Sequence, residues 1–131
     1  DFLDYTNSNG YVAVDFYDGS IMYDAEKNKT TICDIDFFRK QPCVNDMGRM
    51  WGSSKFQSPE EYKLGADIDE ITNVYCAGAF AFALFCNYKR THEEWQLSDE
   101  AFAVATKAVS DDRNKRYQSI KELKEAWEKS L

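Results

Sequence analysis

The run from Val74 to Cys86 is apolar at every one of its thirteen positions, and this constrains the fold more than any other feature. Thirteen residues cannot cross a bilayer that needs about 20. A helix that is apolar on all sides must be surrounded by other elements of its own protein. The sequence therefore predicts a central buried helix, from Asp69 to about Asn87, with the rest of the chain arranged around it.

The flanking segments supply the cover. Ser98-Asp-Glu predicts a second helix through Ala108, with Ser98 as N-cap and acids in the first turn. Ser119-Ile-Lys-Glu122 has the spacing of a capping box and predicts a third, with Ile120, Leu123 and Trp127 on one face. Residues 1–8 read as the end of a helix stopped by Asn7-Ser8-Asn9-Gly10. Tyr11 to Tyr17 is β-prone up to the Asp18-Gly19 turn signal, and Ile21 to Tyr23 with Thr30 to Asp36 reads as a hairpin. Residues 38–66 show no sustained period, and so long a connection in a compact domain is commonly functional or mobile. Without repeats or Pro/Ser-rich linkers, residues 1–131 read as a single domain of the α+β class, mostly α.

Charge is unevenly placed. The chain has 16 basic and 23 acidic residues, a formal charge of −7. Residues 1–36 carry eight of the acids and only two lysines. An acidic chain lacks the basic face that phosphate backbones require, so nucleic acid is not an expected partner, and neither is a membrane. Cys33, Cys43, Cys76 and Cys86 form no CxxC pair and lie far from the single histidine, His92. This argues against zinc and reads as four small hydrophobes in a reducing cytoplasm. His92 reads as exposed, Asp111 to Arg116 as a turn linking two helices rather than a nucleic-acid patch, and Trp51 and Trp95 as packing on their own domain.

The close-set carboxylates Asp15/Asp18 and Asp34/Asp36 could hold chemistry. On a continuous strand, 34 and 36 would share a face. A few carboxylates, completed by water and phosphate, are what Mg²⁺ prefers.

The order of the motifs resembles the C-terminal lobe of the protein-kinase fold. Asn9-Gly10-Tyr11-Val12-Ala13-Val14-Asp15 stands where that family has His-Arg-Asp, and Asp36-Phe37-Phe38 resembles Asp-Phe-Gly. Gly52-Ser-Ser-Lys-Phe-Gln-Ser-Pro-Glu60 resembles the end of an activation segment. Thr72-Asn73-Val74-Tyr75-Cys76-Ala77-Gly78 resembles the start of the central helix, and Ser110 to Tyr117 the segment with the arginine that pairs with the Pro-Glu glutamate. The resemblance implies a helical lobe with the hairpin at the active-site face. It makes Asp15 the catalytic aspartate, contacted by Ser53, with Asp36 and Ser20 as Mg²⁺ ligands. Met22, Ser20 and Phe37 would lie against ATP, and Glu60 would pair with Arg116. A hydroxyl group, on a protein or a small molecule, would be the acceptor.

Departures from the pattern keep a second reading open. Ala13-Val14 replaces His-Arg, Tyr17 replaces a phosphoryl-contacting lysine, Phe38 replaces a glycine, and Asn73 replaces the aspartate that holds the catalytic loop. Arg49 or Lys55 could supply the charge missing at Tyr17. The alternative is a pseudokinase acting as a nucleotide-sensing or docking module. On either reading the chain is expected to fold without catalysing, because the β-rich lobe that grips ATP is not in it. An apolar surface along Phe2, Leu3, Tyr11, Met22 and Phe37 is then expected to be exposed and available for that lobe or for a homodimer.

Overall fold

In the computed structural model, which describes residues 1–131, four helices and three two-stranded antiparallel sheets make an α+β fold. In chain order these are α1 (Phe2–Ser8), β1 (Tyr11–Val12), β2 (Ile21–Asp24), β3 (Lys29–Ile32), β4 (Arg39–Lys40), β5 (Cys43–Val44), β6 (Asp67–Ile68), α2 (Glu70–Phe85), α3 (Asp99–Ala108) and α4 (Ile120–Ser130). No helix is long and apolar enough to cross a membrane.

Helix α2 is the axis of the molecule. Its start is fixed by a reciprocal cap: Asp69 accepts from the Ile71 and Thr72 backbone N–H groups, and the Thr72 hydroxyl accepts from Asp69 N–H at 3.2 Å. It ends at Phe85 because Asn87 and Tyr88 turn left-handed, at φ of 47° and 64°. Val74, Tyr75, Cys76, Ala79, Ala81 and Phe82 are buried in one core with Ala105, Ala108, Ile120 and Leu123 from α3 and α4. An aromatic cluster of Phe82, Phe85, Trp95, Phe102 and Trp127 closes one end.

Gly78 lets α2 and α3 approach closely. A Cβ at this position would stand 2.6 Å from Ala108 Cβ and 2.9 Å from Val109 Cγ1. Gly78→Ala gains about 1 kcal/mol of helix propensity, but overpacking costs about 1–3 kcal/mol. The expected net effect is a loss of roughly 1 kcal/mol by urea denaturation. A variant more stable than the wild type would show that the two helices separate freely.

The caps of α3 and α4 form at Ser98 and Ser119, whose hydroxyls accept from Ala101 and Glu122 N–H. The predicted capping box at Ser119 closes only by half: the Glu122 carboxylate takes the N–H of Gln118 instead. The hairpin forms with Ile21 opposite Ile32 and Asp24 opposite Lys29.

Three expectations are corrected. Tyr11 to Tyr17 is not a continuous strand. Only Tyr11–Val12 pairs, with Arg39–Lys40, because the backbone turns left-handed at Asp15. The second hairpin strand ends at Ile32 rather than Asp36, and Asp34 is itself left-handed at φ 57°, so strand alternation does not set the directions of Asp34 and Asp36. Of the apolar surface, Tyr11, Met22 and Phe37 are exposed, but Leu3 is buried in the main core and Phe2 packs on Phe16 and Phe38.

Candidate functional site

The site begins with a clamp. Asn73, in the second turn of α2 and fully buried, holds both backbone groups of Ala13: Ala13 N–H donates to Oδ1 at 2.9 Å, and Nδ2 donates to Ala13 C=O at 2.8 Å. The same Oδ1 accepts from Asn7 Nδ2 on α1 at 3.4 Å. An amide can donate and accept at once, so it satisfies two groups where a carboxylate could satisfy only the N–H. The next two residues are Val14, in a second small core with Val12, Met50 and Ile68, and then Asp15.

Asp15 adopts φ 56°, a conformation that Asp tolerates better than most residues because of its short polar side chain. It lines a small cavity with Ala13, Ser53, Glu61, Asn73 and Cys76. Burial first, and then the nearby Asp34 carboxylate, push the Asp15 carboxyl above its usual range. A carboxylate with raised proton affinity is a better base near neutral pH.

Below the cavity lies the turn at Pro59–Tyr62. Glu60 and Arg116, 56 positions apart, form a buried two-pronged pair, Nη1–Oε1 at 2.6 Å and Nη2–Oε2 at 2.9 Å. Burial alone would raise the Glu60 carboxyl; hydrogen bonds from Arg116, and one from Thr72 at 3.1 Å, outweigh it and hold it below its usual value. The rest of the Arg116 guanidinium reaches the carbonyls of Ser110, Ile71 and Asp111. Glu61, the next residue, is buried without a cation bonded to it. Its Oε2 accepts from Ser58 N–H at 2.6 Å and from Ser58 Oγ at 2.9 Å. Burial pushes its carboxyl up to about 7.

The structure therefore brings Asp15 and Ser53 to one cavity with Asn73, and separately pairs Glu60 with Arg116. It does not bring the remaining candidates into the cavity. Asp36 is exposed on the turn that follows β3, and Met22 and Phe37 are exposed, with Phe37 against Trp51 at 6.2 Å between ring centroids. Ser20 was expected to face a metal and nucleotide. It is wholly buried, and its Oγ accepts from Tyr17 N–H at 3.4 Å within the Asp18–Ser20 turn. Lys55 lies over the Tyr88 ring at 3.9 Å, and the Tyr88 hydroxyl donates to Asp18. Arg49 is exposed.

No protein-family model matches this chain. A comparison with curated proteins also found no match.

No group of three or more His, Cys, Asp or Glu side chains is placed to hold a metal ion. The donors near the site are carboxylates, which suit Mg²⁺ only when phosphate oxygens and water complete its shell. Ser20 offers no outward oxygen to that shell. All four cysteines are free; the buried Cys76 thiol, pushed well up by burial and then by Glu61, donates to Phe16 C=O at 3.4 Å.

Glu61 was missed in the sequence. Its signal was Ser58-Pro-Glu-Glu61, a serine followed three residues later by glutamate, which is the spacing of a capping box.

Proposed function

We propose that this chain is the C-terminal lobe of a divergent protein-kinase-like phosphotransferase. In a polypeptide that also carries a nucleotide-gripping lobe, it would move the γ-phosphoryl group of ATP to a hydroxyl acceptor. One observation carries the reading: Asn73 of the central helix holds Ala13 by both backbone groups, and so places Asp15 at a cavity shared with Ser53.

Phosphoryl transfer depends on positioning and charge stabilisation more than on covalent chemistry. Asp15 would take the proton of the acceptor hydroxyl, and its raised proton affinity suits that role. Ser53 would help hold Asp15 in orientation. Asp36 is the carboxylate assigned to Mg²⁺, which when bound offsets the charge of the phosphates. Exposed Met22 and Phe37 would lie against the nucleotide, and four free cysteines suit a reducing compartment such as the cytoplasm.

The pseudokinase reading draws on Ser20, whose oxygen is used internally, and on Tyr17 in place of a lysine. The two are separated by assaying the natural polypeptide that contains this chain with ATP and Mg²⁺. Asp15→Asn is expected to lower phosphoryl transfer on the order of 10²–10⁴-fold, and Asp36→Asn to abolish it. An Asp36→Asn variant as active as the wild type would overturn the phosphotransferase reading. Thermal stabilisation by nucleotide without turnover would select the pseudokinase.

A further inference from the structure

Three cations line one groove, and none of them is in an ion pair. Arg90 comes from the segment after α2, Lys107 from the last turn of α3, and Lys115 from the Arg113–Lys115 turn ahead of α4. All three are exposed, and the ion pairs of the chain are made by other residues. Two of the three are steadied by aromatic rings instead of carboxylates. Arg90 Cζ stands 5.1 Å from the centre of the buried Tyr75 ring, and its Nη1 donates to the Tyr75 hydroxyl at 2.8 Å. Lys107 Nζ lies 4.2 Å over the Tyr117 ring. A ring steadies a cation without cancelling its charge, and most of the N–H donors of both side chains stay free for a ligand.

The groove has a volume of about 650 Å³, within the roughly 300–1,000 Å³ of ligand clefts. Its base is apolar, made by Phe82, Phe102 and Val109, and its rim adds the Ser110 hydroxyl and one acid, Asp111, to the three cations. Three cations against one acid leave this rim at +2, in a chain whose total is −7. The end of α3 favours Lys107 on its own account, because helix C-termini attract cations. That preference does not bring Arg90 and Lys115 to the same groove from two other segments.

We propose that this groove docks an acidic peptide segment of a partner protein. Its carboxylates meet Arg90, Lys107 and Lys115, and one apolar or aromatic side chain sits on Phe82, Phe102 and Val109. Such docking is independent of the phosphotransferase reading. Charge complementarity selects the occupant. A basic peptide would meet like charge, and a purely apolar one would take water from three cations without replacing it. A nucleic acid needs cations spread along its phosphate backbone, whereas here only three surround one concave base, with Asp111 beside them.

The test is an NMR titration of the isotope-labelled chain with the peptide Gly-Glu-Asp-Phe-Glu-Asp-Gly. Saturable shifts are expected at the amides of Arg90, Lys107, Ser110 and Lys115. Reversing two charges, with Lys107→Glu and Lys115→Glu, is expected to weaken binding about tenfold or more, since each exposed charge contact carries a factor of up to about five and reversal adds repulsion. Lys121→Glu with Lys129→Glu makes the same change in net charge at exposed positions of α4 outside the groove, and should alter binding by less than about twofold. A peptide with alanine in place of phenylalanine should bind at least about fivefold more weakly. No saturable shift up to about 1 mM peptide, or equal losses in the two double variants, would overturn the site. An alanine peptide binding as tightly would show that the apolar base is not used, and a short oligothymidylate displacing the peptide would assign the groove to nucleic acid; either result overturns peptide docking.

Discussion

Replacing Arg116 by methionine is expected to lower the free energy of unfolding by about 3–5 kcal/mol, the cost of breaking a buried ion pair at one partner. The Arg116 side chain has no exposed surface and Glu60 is 7% exposed, so neither charge can turn to water when the other is removed. The loss extends beyond the carboxylate, because Arg116 Nε also donates to Ser110 C=O at 2.7 Å. Lysine should rescue only part of it, since an ammonium cannot reproduce the planar two-pronged contact. Removing both charges, with Glu60→Gln and Arg116→Met, should cost less than Arg116→Met alone. The pH dependence has a definite sign. The Glu60 carboxyl is held below its unfolded value of 4.5, so the pair stabilises fully above that pH. That stability is lost as pH falls through the folded-state value, and the gap between wild type and variant should narrow in acid. Urea denaturation at several pH values measures this; a loss under about 1 kcal/mol at neutral pH would place the pair among ordinary surface bridges.

Asn73→Ala is expected to cost about 2–6 kcal/mol, because it leaves the N–H and C=O of Ala13 buried without partners at about 1–3 kcal/mol each. Asn73→Asp is the sharper experiment. The carboxylate would keep the bond from Ala13 N–H but set a second negative oxygen against Ala13 C=O. A charge in that fully buried position resists ionisation. The variant should be destabilised at neutral pH and regain stability as pH falls and the new carboxyl takes up a proton. Equal stability of the aspartate and asparagine forms at neutral pH would show that the bond from Nδ2 contributes nothing.

Local signals in the sequence located the helices well. Asp69, Ser98 and Ser119 cap as their side chains require, and the apolar run from Val74 predicted the one helix enclosed by the others. The failures arose where structure depends on distant partners. Strand β1 stops at Val12 because its partner, Arg39–Lys40, is equally short and lies far along the chain. Two-residue strands such as β5 and β6 have no period to detect. Asp15 and Asp34 leave extended geometry through left-handed backbone that composition does not announce. The spacing of Glu60 and Arg116 was legible only through the order of motifs; nothing local to either residue marks them as neighbours. Ser20 looked available because hydroxyls usually face water, whereas this one serves its own turn. Glu61 was overlooked because a charged residue at a turn reads as exposed until its capping partner Ser58 is considered.

The clamp at Asn73 also bears on how the chain folds. Its contacts with Ala13 span 60 positions, and the Glu60–Arg116 pair spans 56. Closing a loop of that length costs about 3–4 kcal/mol of chain entropy, none of it repaid until α2 offers its first turns as a docking surface. Helix α2 can form from local interactions, whereas the segments bearing Asp15 and Arg116 must diffuse to it. The central helix is thus the template on which the site assembles, and any slowing of its formation delays the arrival of Asp15 with it.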